Sequence, residues 1–261
     1  MPFLTTRDGC EIYYETKGQG PAIAFVSGFM GITEIWKKQI EYFSKNYQCI
    51  AFDNRGAGRS DKPFPRVAYG VETHAEDLNT ILNELGIDKV VIVGHSMGGN
   101  TALVYTLNHP EKVKGIVFVG SYVSGKQIHS VGNTIEVIKN AVKTKEGRIN
   151  FYKSVGLSED IALESTKWPL YAILGNAESF MQFDVGERIK EVNVPTLILH
   201  GDRDIVSPLD PCGIGLKEKL KDSELHVYEN VNHCPMFENP EKTNELIDEF
   251  LKKRVKWSES V

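Results

Sequence analysis

The chain has 261 residues, 41% of them hydrophobic and 25% charged, with a formal net charge of −5. That apolar share is enough for a sizeable core and excludes a disordered chain, and the length suits one large α/β domain. The acidic balance, with a pI near 5.9 and no run of lysine and arginine, argues against non-specific nucleic-acid binding and against an anionic membrane surface.

Met1-Pro2-Phe3-Leu4-Thr5-Thr6-Arg7 lacks the basic-then-apolar pattern of a secretory signal, and no window is apolar for long enough to span a bilayer. Phe3 to Thr6 and Glu11 to Glu15 read as a hairpin around Arg7-Asp8-Gly9. Ala22 to Ser27 is a short apolar strand followed by the loop Gly28-Phe29-Met30-Gly31, and Ile32 to Lys45 is helical. Cys49 to Asp53 is the next strand and runs into a glycine- and arginine-rich loop, Asn54 to Ser60. Thr73 and Glu76 have the spacing of a capping box for a helix with Leu78, Ile81, Leu82 and Leu85 on one face. The strand Val90 to Val93 then meets Gly94-His95-Ser96-Met97-Gly98, with a helix from Met97 to about Asn108.

Gly115 to Gly120, Thr196 to His200 and Glu224 to Tyr228 complete eight strands. The last helix has Asn239 as its cap and Pro240 at its first position, and buries Leu246, Ile247, Phe250 and Leu251. Continuous apolar strands separated by helices predict a mostly parallel sheet covered on both faces. Residues 124–192 break this alternation. They show helical stretches such as Thr134 to Val142 and Ile161 to Trp168, and no clear strand. This segment is expected to be a small helical cap inserted into a core formed by residues 1–123 and 193–261.

The pentapeptide Gly94 to Gly98 is a G-x-S-x-G pattern between a buried strand and a helix, the context of a nucleophile elbow. Glycine at Gly94, Gly98 and Gly99 leaves room for a tight strand-to-helix turn that holds the Ser96 hydroxyl in a cleft. A serine hydroxyl is a weak nucleophile and needs a histidine base, itself oriented by an acid, in the chain order Ser, Asp or Glu, His. His226 and His233 are the histidines late enough to serve. His226 lies inside a strand, whereas His233 follows it in the loop Asn230 to Pro235, so His233 is the candidate base. The acid is expected in Gly201-Asp202-Arg203-Asp204, with Asp204 favoured because the glycine turns the chain first, and Asp202 as the fallback. Two backbone N–H groups, those of Met97 and Phe29, are the candidate oxyanion donors.

The chain resembles the α/β-hydrolase superfamily along essentially its whole length, and within it small carboxylesterases and 3-oxoadipate enol-lactonase-like enzymes. The resemblance rests on Ser27-Gly28-Phe29, Asp53 to Ser60, Gly94 to Gly99, Gly201 to Asp204, and His233 followed by Glu238-Asn239-Pro240, in that order. It implies an eight-stranded α/β-hydrolase sheet and a structural turn at Asp53 to Ser60, behind the oxyanion loop. One departure is Ser27, where the family usually has a histidine that braces that loop. The expected activity is hydrolysis of a small-molecule ester or lactone through an acyl-enzyme.

The same triad also suits a carbon–carbon bond hydrolase of β-diketones, a cofactor-free perhydrolase or acyltransferase, or a non-enzymatic ligand receptor on this fold. Dehalogenase and epoxide-hydrolase chemistry on the fold needs aspartate at the position of Ser96. The loop Asp53 to Ser60 lacks the G-x-x-x-x-G-K-[ST] pattern and Gly94 to Gly99 is not G-x-G-x-x-G, and the expected chemistry needs no cofactor. Cys10, Cys49, Cys212 and Cys234 are scattered without metal-type spacing, so no metal is expected. They read as free thiols of a cytosolic protein, with Cys234 a packing residue beside His233. The apolar cap residues Trp168, Leu170, Tyr171, Ile173, Leu174, Phe180, Met181 and Phe183 are expected to divide between packing on the core and lining a pocket.

Overall fold

The computed structural model describes residues 3–65 and 68–257. Residues 1–2, 66–67 and 258–261 of the expected core lie outside the described residues. The strands are β1 (Phe3–Thr5), β2 (Glu11–Lys17), β3 (Ala22–Val26), β4 (Gln48–Phe52), β5 (Val90–His95), β6 (Val113–Val119), β7 (Thr196–Gly201) and β8 (Ser223–Tyr228). They form one eight-stranded sheet in the order β1-β2-β4-β3-β5-β6-β7-β8. β1 and β2 form an antiparallel hairpin and β2 meets β4 antiparallel; every later pair is parallel.

Successive side chains of a strand point to opposite faces, and the buried residues divide accordingly into two cores. Ala24, Val26, Ile92, Ile116, Phe118 and Ile198 face one side. They pack there on α2 (Val71–Glu84), α3 (Met97–Asn108) and α9 (Cys212–Lys219). Ile23, Phe25, Val91, Val93, Val117 and Leu199 face the other, against α1 (Lys37–Phe43) and α11 (Pro240–Lys253). This two-sided burial is why the central strands read as unbroken apolar runs.

Helix starts were the least legible features. α2 begins at Val71 with Gly70 as N-cap and no side-chain cap, so Thr73 lies inside the first turn and the predicted capping box does not form. The 32–45 helix is a 3-10 turn, Thr33–Trp36, that continues as α1. α11 starts as expected: the Asn239 side chain accepts from the Lys242 N–H and Pro240 occupies the first turn.

Between β6 and β7 the chain runs through α4 (Gly125–Ser130), α5 (Ile135–Val142), α6 (Lys145–Ser154), α7 (Glu159–Glu164) and α8 (Leu170–Gln182). A single antiparallel bridge, Ser124 to Asp184, ties the two ends of this segment together. The predicted 161–168 helix is instead α7 followed by a 3-10 turn, Ser165–Lys167. Buried Arg148 donates to three carbonyls, Val142 O (2.9 Å), Ser165 O (3.0 Å) and Trp168 O (2.7 Å), and so holds α5, α6 and the turn after α7 together. The segment is fastened to the sheet core by Asn176, bonded to His74 at 2.8 Å, and by Asn133, which donates to Ile205 O and Val206 O. Among the described residues, no helix is long and apolar enough to cross a membrane.

The close approach of α3 to β3 gives a direct check. A Cβ at Gly98 would lie 2.2 Å from Val26 O, with no flexible side chain to give way. Gly98→Ala is expected to destabilise the fold by about 3 kcal/mol through overpacking. The urea midpoint reads this, and an unchanged midpoint would contradict the packing described.

Candidate active site

Phe29, Ser96, Asp204 and His233 sit on turns and loops at the carboxyl ends of the parallel strands, where an open α/β sheet places its ligands. β5 ends at His95, and Ser96 follows with φ 52° and ψ −122°, a backbone conformation that side chains rarely adopt. Such a residue costs on the order of 1–3 kcal/mol and persists only where its surroundings enforce it. Here the Ser96 N–H donates to Val119 O (2.9 Å), and Ser96 O accepts from Gly99 N (2.9 Å) and Ser121 Oγ (2.8 Å). Glycine is needed on both sides of the turn: a Cβ at Gly94 would meet Gly98 O at 2.5 Å, and one at Gly99 would meet Ser121 Oγ at 2.2 Å.

Met97 is the first residue of α3, so its N–H has no intrahelical partner. Phe29 lies in the turn after β3, which passes so near Ser96 that a Cβ at Gly28 would be 2.8 Å from Ser96 Cβ. That clearance lets the two backbones, carrying the Phe29 and Met97 amides, converge on the serine.

Asp204 and His233 meet after β7 and β8. His233 Nδ1 donates to Asp204 Oδ2 at 2.7 Å, and both side chains are buried. Asp204 Oδ1 accepts from the Val206 and Ser207 N–H groups, each at 2.9 Å. Ser207 Oγ lies 2.9 Å from Asp204 Oδ2, 2.8 Å from Gly120 O and 3.3 Å from His233 Nδ1. Burial alone would push the Asp204 carboxyl up, but His233 and these hydrogen bonds hold it below the ordinary carboxylate range. A proton fixed on His233 Nδ1 leaves Nε2 as the basic nitrogen of the neutral ring. Asp202, by contrast, is exposed, and His226 is a half-buried side chain of β8 stacked edge-on to Tyr228.

Several further groups support this arrangement. Ser27, at the position of the family's usual histidine, accepts from the Trp36 indole N–H (3.1 Å) and donates to Ile32 O (3.2 Å). Asn54 Nδ2 donates to Ser27 O at 2.9 Å, so the Asp53 to Ser60 turn lies behind the Phe29 loop and holds it. Asp53 in turn accepts from Thr33 N (2.8 Å) and Arg59 N (2.9 Å). Trp36 is the partner that a sequence scan misses, since its contact to Ser27 spans nine positions and depends on a 3-10 turn.

The residue before Ser96, His95, donates from Nε2 to His233 O at 3.1 Å, and its ring lies 4.7 Å from that of His233. Burial, helped by the neighbouring His233, pushes His95 down to about 3, so it stays neutral. Cys234 is fully buried and its thiol is pushed well up by that burial, which leaves it protonated. The four cysteines are all free and buried.

Ser96 and His233 open into a cavity of about 170 Å³. Phe29, Tyr122 and Phe180 form an aromatic wall, and α5 and α6 supply Val137, Ile138, Ala141, Phe151 and Tyr152. Of the apolar residues named from the sequence between Trp168 and Phe183, Phe180 reaches the cavity. Trp168, Ile173 and Leu174 are buried in packing instead.

A family model described as alpha/beta hydrolase fold matches residues 21–158, more than half of the chain. The chain belongs to this family. It is 31% identical to a non-heme chloroperoxidase of Kitasatospora aureofaciens over 97% of this chain and 100% of that protein. It is 27% identical to a bifunctional esterase/perhydrolase of Acinetobacter calcoaceticus over 89% of this chain and 93% of the relative. Among solved structures it resembles a bromoperoxidase from Bacillus anthracis with a TM-score of 0.86 and 25% identity, covering 96% of this chain and 100% of that one. The protein is therefore an enzyme of the α/β-hydrolase family.

The buried imidazoles make this hydrolase's stability depend on pH. Burial pushes His95 down to about 3 and His74 down to about 4, and lowers His200 as well. Below about pH 6.5 the unfolded chain binds protons on these rings and the folded one does not, so stability falls with acidification. Each ring contributes about 1.4 kcal/mol per pH unit until its folded value is reached. Asp204 acts lower down: its depressed value stabilises the fold above the ordinary carboxylate pKa and is lost as pH falls through the folded one. The urea midpoint is expected to drop between pH 7 and pH 5, and less steeply in His74→Gln. A flat profile would contradict the neutral buried rings.

Proposed function

We propose that the protein is a serine hydrolase that cleaves carboxylic ester or lactone bonds through an acyl-enzyme on Ser96. The observation that carries this reading is the 2.7 Å bond from His233 Nδ1 to the buried Asp204, in the same cavity as the strained Ser96. Ser96 Oγ attacks the carbonyl carbon while His233 Nε2 takes its proton. The Phe29 and Met97 N–H groups receive the negative charge that develops on the carbonyl oxygen. The tetrahedral intermediate collapses, His233 gives its proton to the departing alkoxide, and the acyl group remains on Ser96. Water, deprotonated by His233, then attacks the acyl carbon, and His233 returns that proton to Ser96 Oγ as the acyl–oxygen bond breaks and the acid leaves. Asp204 keeps the ring in the tautomer this requires and stabilises its transient cation.

A second reading is favoured by the names of the relatives. Hydrogen peroxide in place of water at the deacylation step gives a peracid from the same acyl-enzyme. The four buried free thiols support a reducing, cytosolic setting.

The wild type is expected to hydrolyse p-nitrophenyl esters and to be labelled by a fluorophosphonate probe, with labelling lost in Ser96→Ala. Asp204→Asn is expected to lower kcat by about 10³-fold or more, and Asp202→Asn to leave it nearly unchanged. Cleavage of a β-diketone with no ester turnover would replace the ester reading with a carbon–carbon one. Equal losses in the two aspartate variants would remove Asp204 from its role.

A further inference from the structure

Among the described residues, the cavity beside Ser96 has no charged lining: it is lined by no lysine, arginine, aspartate or glutamate. Its ionisable members are all committed or neutral. His95 is held neutral by burial, Cys234 is a buried thiol, and the Tyr152 hydroxyl donates to Met30 O. His233 is bonded to the Asp204 carboxylate, so the nearest full charge behind the site is negative. Tyr122 is buried, which pushes its phenol far up and keeps it neutral.

The solvent-facing part of the lining is also uncharged, with Asn133 and Ser154 as its polar members. Val137, 50% exposed, and Ile205, 55% exposed, line the cavity from α5 and from the Asp204 loop. Lys139 on that helix pairs with Glu136 and Lys143 just after it bonds Asn140, each at 3.1 Å, and neither lines the cavity. A carboxylate entering this space gives up its water and meets no cation in return, which is strongly unfavourable. An apolar group entering it is favoured by burial. An apolar cavity of roughly this size holds a ligand as large as benzene.

We propose that the substrate is an electrically neutral ester or lactone that buries an apolar group, the size of a small ring or a short branched chain, against Phe29 and Phe180, and that esters carrying a second carboxylate are rejected. This rests on the ester and lactone reading above and narrows its substrate class.

The test compares three p-nitrophenyl esters on the wild-type enzyme: hexanoate, the monoester of adipic acid, and the methyl ester of that monoester. The two neutral esters are expected to have kcat/KM values within about tenfold of each other, and the carboxylate to fall below its methyl ester by about 100-fold or more. Val137→Lys, which brings a cation to the mouth, is expected to shrink that gap by about tenfold. Equal turnover of the carboxylate and its methyl ester, with labelling still lost in Ser96→Ala, overturns the neutral-substrate proposal and leaves the hydrolase reading standing. No turnover of any of the three overturns both.

Discussion

The backbone conformation of Ser96 is the constraint on which the rest of the site depends. A serine at φ 52° and ψ −122° is strained, and it is held there by contacts that leave no room for side chains at Gly94, Gly98 or Gly99. The same close packing brings α3 against the carboxyl end of β3 and brings Gly28 against the serine. One turn therefore brings Ser96 to the cavity, starts a helix at Met97 whose first N–H has no intrahelical partner, and sets the Phe29 loop beside it. Loosening any of the three glycines would move all of these groups together.

The second requirement is a histidine with one defined tautomer. Asp204 meets it as a carboxylate with both oxygens engaged: two backbone N–H groups on Oδ1, and His233 with Ser207 on Oδ2. Because its own position is fixed by backbone bonds, it directs the imidazole without being free to rotate. The neighbouring ring of His95 bonds to the His233 carbonyl and stays neutral, so it steadies the His233 loop and adds no competing charge.

The parts of this arrangement that were legible in the sequence are those governed by local rules. All eight strands were readable because burial on both faces makes apolar runs, and the serine turn was readable because its glycines are sterically required. The order of Ser96, Asp204 and His233 followed from the positions of the late loops. Preferring Asp204 over Asp202 needed only the location of Gly201, and the two carboxylates do differ as buried and exposed side chains. What stayed hidden depends on contacts distant in sequence. The brace at Ser27 joins the 3-10 turn ending at Trp36 to Asn54 in the loop after β4. The start of α2 at Val71 went unread because Gly70 caps it without a side-chain signal. The cavity lining from α5 and α6 could not be told from packing, since both uses select the same apolar residues.

The charge-free cavity and the His233–Asp204 bond beside Ser96 support the proposal that this enzyme transfers neutral acyl groups to and from that serine. The most direct measurement of that claim is peptide-mapped mass spectrometry of enzyme quenched in acid during turnover of a p-nitrophenyl ester. One acyl group is expected, on the peptide carrying Ser96, with a matching burst of about one equivalent of p-nitrophenol. An adduct on Cys234 or on any other residue, or a burst that survives in Ser96→Ala, would contradict it.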